Sequence, residues 1–149
     1  MKKFEFRLKK VEKLRQDKKR RKQRIFAEAE RREASERSKL AKLSSEVIAR
    51  RRQSRGSKLR KIDPDRLRSE SDYINQLDFL VEHQEHRVAG AADNTSKCRE
   101  KLKEASREVK KLERLEEIKR DQYIAETESF LQKENDEIAS NIGRGSQPR

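Results

Sequence analysis

The chain is short of almost everything from which a layered globular core is built. Of its 149 residues 30% are apolar, 5% are aromatic and none is Trp, while 46% are charged. An ordinary domain runs at about 45–50% apolar and about 25% charged. Too little apolar surface is therefore present to offset the ordering entropy of a globule of this size. Helix breakers are equally scarce, with four Gly and two Pro, which favours long helices over a disordered polyelectrolyte. The single Cys98 excludes an intrachain disulfide. The first ten residues hold no apolar run of signal-peptide length, and no stretch approaches the roughly 20 apolar residues that span a bilayer. Asn94-Thr95-Ser96 matches a glycosylation acceptor, but no other feature supports a secretory route. These absences predict an intracellular, soluble protein of long helices that bury one narrow seam.

What is present is charge and periodicity. Clustered breakers occur at Ser54-Arg55-Gly56-Ser57, at Asp63-Pro64 and in the last seven residues. Asp before Pro is a strong helix start, because the carboxylate caps orphan N–H groups and Pro at the first helical position gives up a bond that would be unmade anyway. The layout is one helix over about 4–54, a connection over about 55–63, a second helix over about 64–140, and a disordered tail over 143–149. Residues 1–142 are expected to form a single all-α domain.

In the second helix, alternating steps of 3 and 4 visit Ile74, Leu77, Val81, Gln84, Val88, Ala91, Thr95, Cys98, Leu102, Ala105, Val109 and Leu112. None is charged, and only Gln84 and Thr95 are polar. This is a heptad seam sustained over more than five repeats. Beyond Leu112 it thins into Tyr123, Phe130 and Ile138. The first helix is weaker: Val11, Leu14 and Ile25 fit one register, and Ala29, Leu40, Leu43 and Val47 fit another after a slip. The basic run 18–24 between them supplies no apolar side chain. Residues 1–62 carry a net charge of +17 and residues 63–149 a net charge of −4. Opposite charge at seam-flanking positions favours an antiparallel two-helix coiled coil within the chain. Gly90, followed by Asp, Asn, Thr and Ser, marks either a small-residue patch where the helices approach closely or a bend; the first is favoured.

Little here suggests catalysis. There is no Gly-rich phosphate loop and no Cys cluster. His83 and His86 share a helix face, but neither has the Glu three residues before it that di-iron bundles use, so they read as solvated surface histidines. Cys98 reads as a small apolar seam residue. No metal or other cofactor is expected. The basic run 18–24 would bind nucleic acid nonspecifically, yet no base-reading helix leads into a zipper. Such binding is the alternative reading, set against a rod that binds protein. Tyr73 and Leu80 flank the seam around Ile74, Leu77 and Val81, and either thicken the hairpin's own packing or dock a partner segment. In an antiparallel hairpin, Phe4, Phe6 and Leu8 would lie near Tyr123, Phe130 and Ile138.

The opening Phe4-x-Phe6-Arg7-Leu8-x-x-Val11-x-x-Leu14-Arg15 resembles the start of the FliJ family, the small coiled-coil component of the bacterial flagellar export apparatus. Tyr73-Ile74-Asn75-Gln76-Leu77, Leu112-Glu113-Arg114-Leu115, Tyr123 and the stretch from Gln132 to Ala139 match in order and spacing, so the resemblance covers nearly the whole chain. It implies an antiparallel hairpin similar to the stalk of rotary ATPases, with no catalysis of its own. The end carrying both termini would enter the hexameric flagellar export ATPase and promote its assembly and activity. Carried over by position, its ATPase-facing residues are Phe4, Phe6, Leu8, Val11, Tyr123, Phe130, Asp136 and Glu137. A strip early in the second helix, Tyr73, Leu77, Leu80 and Gln84, would face the linker of the membrane export gate. Export chaperones are further partners, no specific nucleic acid is expected, and the isolated chain is expected to be monomeric. The resemblance places it in the cytoplasm, peripheral to the inner face of the cell membrane. Needle-type secretion systems use a related stalk protein.

Overall fold

Asp63 starts the longer helix as its chemistry predicts. Its Oδ1 accepts the N–H of Asp65 at 3.1 Å and its carbonyl accepts that of Leu67 at 3.2 Å, with Pro64 at the first helical position. The computed structural model describes residues 3–57 and 63–145, with side chains over 3–56 and 63–142. Two helices account for it: α1, Lys9–Ser57, and α2, Pro64–Gly145. They pack against each other, no strand occurs among the described residues, and the fold is an all-α helical hairpin. The helix α1 runs three residues beyond its expected end, and 58–62 of the expected connection lie outside the described residues. Likewise α2 continues through 143–145, where a tail was expected, and 146–149 lie outside the described residues.

At the other end α1 begins five residues later than expected. Phe4-Glu5-Phe6 is outside the helix, with the two Phe half-buried and Glu5 exposed. Both rings line one groove against α2, in keeping with the two-residue alternation of burial. The helix then closes through Lys9 N–H to Phe6 O at 3.0 Å and Glu12 N–H to Leu8 O at 2.9 Å.

The chain divides into two compact units, Met1–Lys19 with Ala105–Arg149, and Arg20–Glu104. In the second, every expected seam position of α2 from Ile74 to Leu102 is buried or half-buried. The facing positions of α1 are Lys22, Phe26, Ala29, Glu33, Glu36, Leu40, Leu43 and Val47, a strict alternation of 4 and 3. There is no slip at Ala29. Ile25, chosen from sequence as a seam residue, is exposed, and Phe26 beside it takes the position with Arg99 stacked 5.5 Å from its ring centre. The helices run antiparallel, as cross-helix pairs show: Arg51 with Asp78 at 2.7 Å, and Glu36 with Arg87 at 3.2 Å.

The same substitution of polar for apolar occurs in the other unit. Glu12 is only 5% exposed and lies on the seam side, whereas Val11 beside it is exposed and Leu14 is 68% exposed. Ala105 and Val109 are buried on α2. Lys9 bridges Glu12 at 2.9 Å and Glu116 at 3.2 Å, and Arg15 meets Glu108 at 2.6 Å. From 128 to 142 every residue of α2 is exposed.

The seam carboxylates Glu33 and Glu36 are tolerated because each is paired. Gln84, 5% exposed, donates from Nε2 to the Glu36 backbone carbonyl at 3.0 Å and also to its carboxylate. Lys39, then Gln84, holds the Glu36 carboxyl below its usual range; Arg37 does the same for Glu33. Thr95 turns its hydroxyl to the Ala91 carbonyl at 3.0 Å. Gly90 is exposed within the unbroken α2, and a Cβ there would meet nothing within 4 Å. It marks neither a close approach nor an interruption of the helix.

Two outcomes follow from these positions. Gly90→Ala raises stability by about 0.5–1 kcal/mol, read as a higher thermal midpoint, because it gains helix propensity without a clash. A lower midpoint would mean that a local bend depends on Gly90. Glu33 and Glu36 have folded pKa values depressed below the roughly 4.3 of a free Glu. Their contribution is therefore complete above about pH 4.5 and is lost as pH falls through the lowered values. Thermal midpoints decline on acidification, and Glu36→Gln flattens that decline; an unchanged slope would remove Glu36 from this role.

Candidate functional site

Two patches collect the candidate residues, one in each unit. In the unit that contains both ends of the chain, the non-helical Phe4–Phe6 segment lies against α2. The Phe4 and Tyr123 rings sit 5.6 Å apart, tilted by 48°, within the range of favourable aromatic pairs. Phe4, Phe6, Leu8, Leu115 and Tyr123 supply the apolar lining of a groove of about 600 Å³, edged by Arg7, Lys119, Gln122 and Glu126. Four expected ATPase-facing residues, Phe4, Phe6, Leu8 and Tyr123, thus meet in one place. Val11 is exposed on the next turn of α1. Phe130, Asp136 and Glu137 lie farther along α2, exposed and outside the groove.

In the other unit the expected strip is split by burial. Leu77 is 4% exposed and Gln84 5%, so both are held in the seam. Tyr73 and Leu80 face outward, as does Phe79, which the sequence reading passed over. Seven-residue spacing explains the division: Leu77 and Gln84 repeat one seam position, while Tyr73 and Leu80 repeat the flank. Tyr73 donates its hydroxyl to Glu46 at 2.8 Å, and Arg50 stacks 5.2 Å from its ring centre. Arg50, Ser54, Arg66 and Ser69 edge a groove of about 400 Å³ beside Tyr73 and Ile74.

Among the described residues no three His, Cys, Asp or Glu side chains gather to hold a metal, and no helix is long and apolar enough to cross a membrane. His83 and His86 are exposed and Cys98 is half-buried at its seam position. What the geometry offers is shape, aromatic surface and charge for binding other molecules.

The flagellar FliJ protein family matches residues 4–147. No curated protein and no solved structure matches the chain.

The split strip yields a paired test. Leu77→Ala removes a buried side chain and lowers stability by about 2–4 kcal/mol, while Leu80→Ala, at an exposed flank, changes it by no more than about 0.5 kcal/mol. Urea unfolding followed by circular dichroism measures both, and equal losses would contradict the seam assignment.

Proposed function

The chain belongs to the flagellar FliJ family and is a component of the flagellar export apparatus, and from that premise we propose that it is the non-catalytic stalk of the export ATPase complex. In this reading the end bearing Phe4, Phe6, Leu8 and Tyr123 inserts into the ATPase hexamer and promotes its assembly and turnover. The observation that carries it is the aromatic groove. A chain with five Phe and two Tyr places two half-buried Phe and one half-buried Tyr on the lining of a single groove, and concave apolar surfaces edged by a few polar groups are where ligands and partners bind. Val11, Phe130, Asp136 and Glu137 extend that surface along both helices.

Tyr73 and Leu80 form the outward strip for the export-gate linker, with Leu77 and Gln84 supporting them from the seam. Export chaperones are further partners, and the protein works at the cytoplasmic face of the membrane. A stalk alters the ATPase only through unequal contacts with the surrounding subunits. Opposite signs of charge along the two helices provide that inequality without nucleotide chemistry of its own.

Steady-state ATP hydrolysis by the purified export ATPase, with and without this protein, tests the reading. The intact chain raises rate and hexamer formation. Phe6→Ala combined with Tyr123→Ala raises the half-maximal concentration about tenfold or more, the effect of losing roughly 1.4 kcal/mol at an aromatic anchor. Phe79→Ala, in the other unit, leaves the curve in place. Unchanged hydrolysis and assembly on adding the intact chain would refute it.

A further inference from the structure

Two exposed surfaces in the unit that holds both chain ends are complementary, yet one chain cannot bring them together. The first lies on residues 7–19, where seven Lys or Arg accompany two acids. Glu12, one of those acids, is buried. Arg7, Lys10 and Lys13 have no acid partner among the described residues. Leu8, Val11 and Leu14 are exposed among these cations, and Ile118 of α2 is exposed as well. The second surface lies on residues 124–138 of α2, with five acids and one Lys. Ile124, Leu131 and Ile138 recur there every seven residues, with Phe130 beside Leu131, and all four are exposed. One is a basic helix with an apolar flank; the other is an acidic helix with an apolar stripe.

Within a chain, Phe4 already sits at Tyr123. The stretch 124–138 therefore continues past the start of α1, and α2, helical without a break to Gly145, cannot turn back to cover residues 7–19. We propose that a second copy of this chain fills the gap: the acidic stripe of each copy lies along the basic N-terminal turns of α1 in the other, forming an isologous antiparallel dimer. Two-fold symmetry satisfies both surfaces of both chains at once, and it doubles each contact toward the roughly 1,200 Å² in total that a specific interface needs. Apolar side chains at heptad spacing supply the burial, and opposite charges on the flanks set orientation. The inference does not rest on the stalk reading. It adds that self-association covers Phe130, so that a dimer and an ATPase-bound chain exclude one another.

Salt gives this proposal a sign. Two chains of net charge +13 repel, so association driven by apolar contact alone would strengthen as salt screens the repulsion. Association through local acid–base complementarity weakens instead. Sedimentation equilibrium of the full chain at low salt and at about 0.5 M, where the Debye length is down to about 4 Å, distinguishes them. In place of the monomer expected from the sequence, the proposal gives a monomer–dimer equilibrium whose dimer fraction falls with salt. Leu14→Asp and Leu131→Asp each weaken it about tenfold or more with helicity unchanged, since both side chains are exposed. Lys10→Glu with Lys13→Glu weakens it too, and mixing that variant with Glu134→Lys, Asp136→Lys restores dimers. The proposal is overturned by any of four results: a monomer persisting to about 100 µM, where a micromolar interface would be filled; association that strengthens with salt; open-ended polymers; or self-association untouched by Leu131→Asp. If Leu131→Asp leaves self-association intact but abolishes stimulation of the ATPase, the stripe belongs to the ATPase and the dimer is wrong.

Discussion

Every feature of this protein depends on the sharing of one seam by two helices of very unequal apolar content. A chain with 30% apolar residues can bury about one stripe per helix. The positions on α2 from Ile74 to Leu112 are apolar nearly without exception, so that helix decides which face is buried. The other helix must accept the face that results. Its apolar residues meet the seam at Phe26, Ala29, Leu40, Leu43 and Val47, but Glu12, Lys22, Glu33 and Glu36 must also turn toward the partner. The cost of those charges is limited because Lys22, Glu33 and Glu36 are only partly desolvated and because Lys9, Arg37, Lys39 and Gln84 are in place to meet the carboxylates, Lys9 that of the buried Glu12. Such polar layers also carry information. An interior Gln hydrogen-bonded to one Glu penalises a shifted pairing that would leave both unsatisfied, the role best attested for polar residues in coiled-coil seams.

This asymmetry explains what the sequence could and could not reveal. The seam of α2 was legible because all twelve positions lack charge in a chain that is nearly half charged, and every one is covered in the structure. The Asp63-Pro64 start was legible because capping is local chemistry. The register of α1 was not, since it is imposed from outside. Judged alone, Val11, Leu14 and Ile25 look like a stripe, and only the partner helix shows that their neighbours Glu12 and Phe26 face inward. The non-helical Phe4-Glu5-Phe6 start was available in principle, as a two-residue alternation preceding a helical pattern. At the candidate sites, placing Phe4, Phe6, Leu8 and Tyr123 together needed only the antiparallel topology. Separating Tyr73 and Leu80 from Leu77 and Gln84 needed strict heptad bookkeeping, in which a residue on the seam is not also available to a partner.

Burial in the hairpin and availability to partners are therefore complementary sets. The scarcity that confines the seam to one stripe makes each exposed apolar cluster informative, because a chain this poor in apolar residues gains nothing in folding from those left outside. Tyr73 with Leu80, the groove at Tyr123, and the stripe from Ile124 to Ile138 are all of this kind. The charge pattern gives each a different character. Arg50 and Arg66 border the groove beside Tyr73, whereas acids dominate the distal part of α2.

The same logic sets which kinds of partner the hairpin tolerates. With so polar a seam, α1 has little reason to remain helical away from α2, because isolated helices need an apolar face or strong propensity to persist in water. A partner that inserted into the seam would have to replace the Glu36–Gln84 and Lys9–Glu116 contacts while leaving charged side chains buried and unmatched. A partner that binds the flanks meets no such cost: Tyr73, Leu80 and the Phe4–Tyr123 groove can be covered with every cross-helix contact intact. Recognition from outside, by surfaces that close over the hairpin without opening it, is the mode that this distribution of polar and apolar side chains permits.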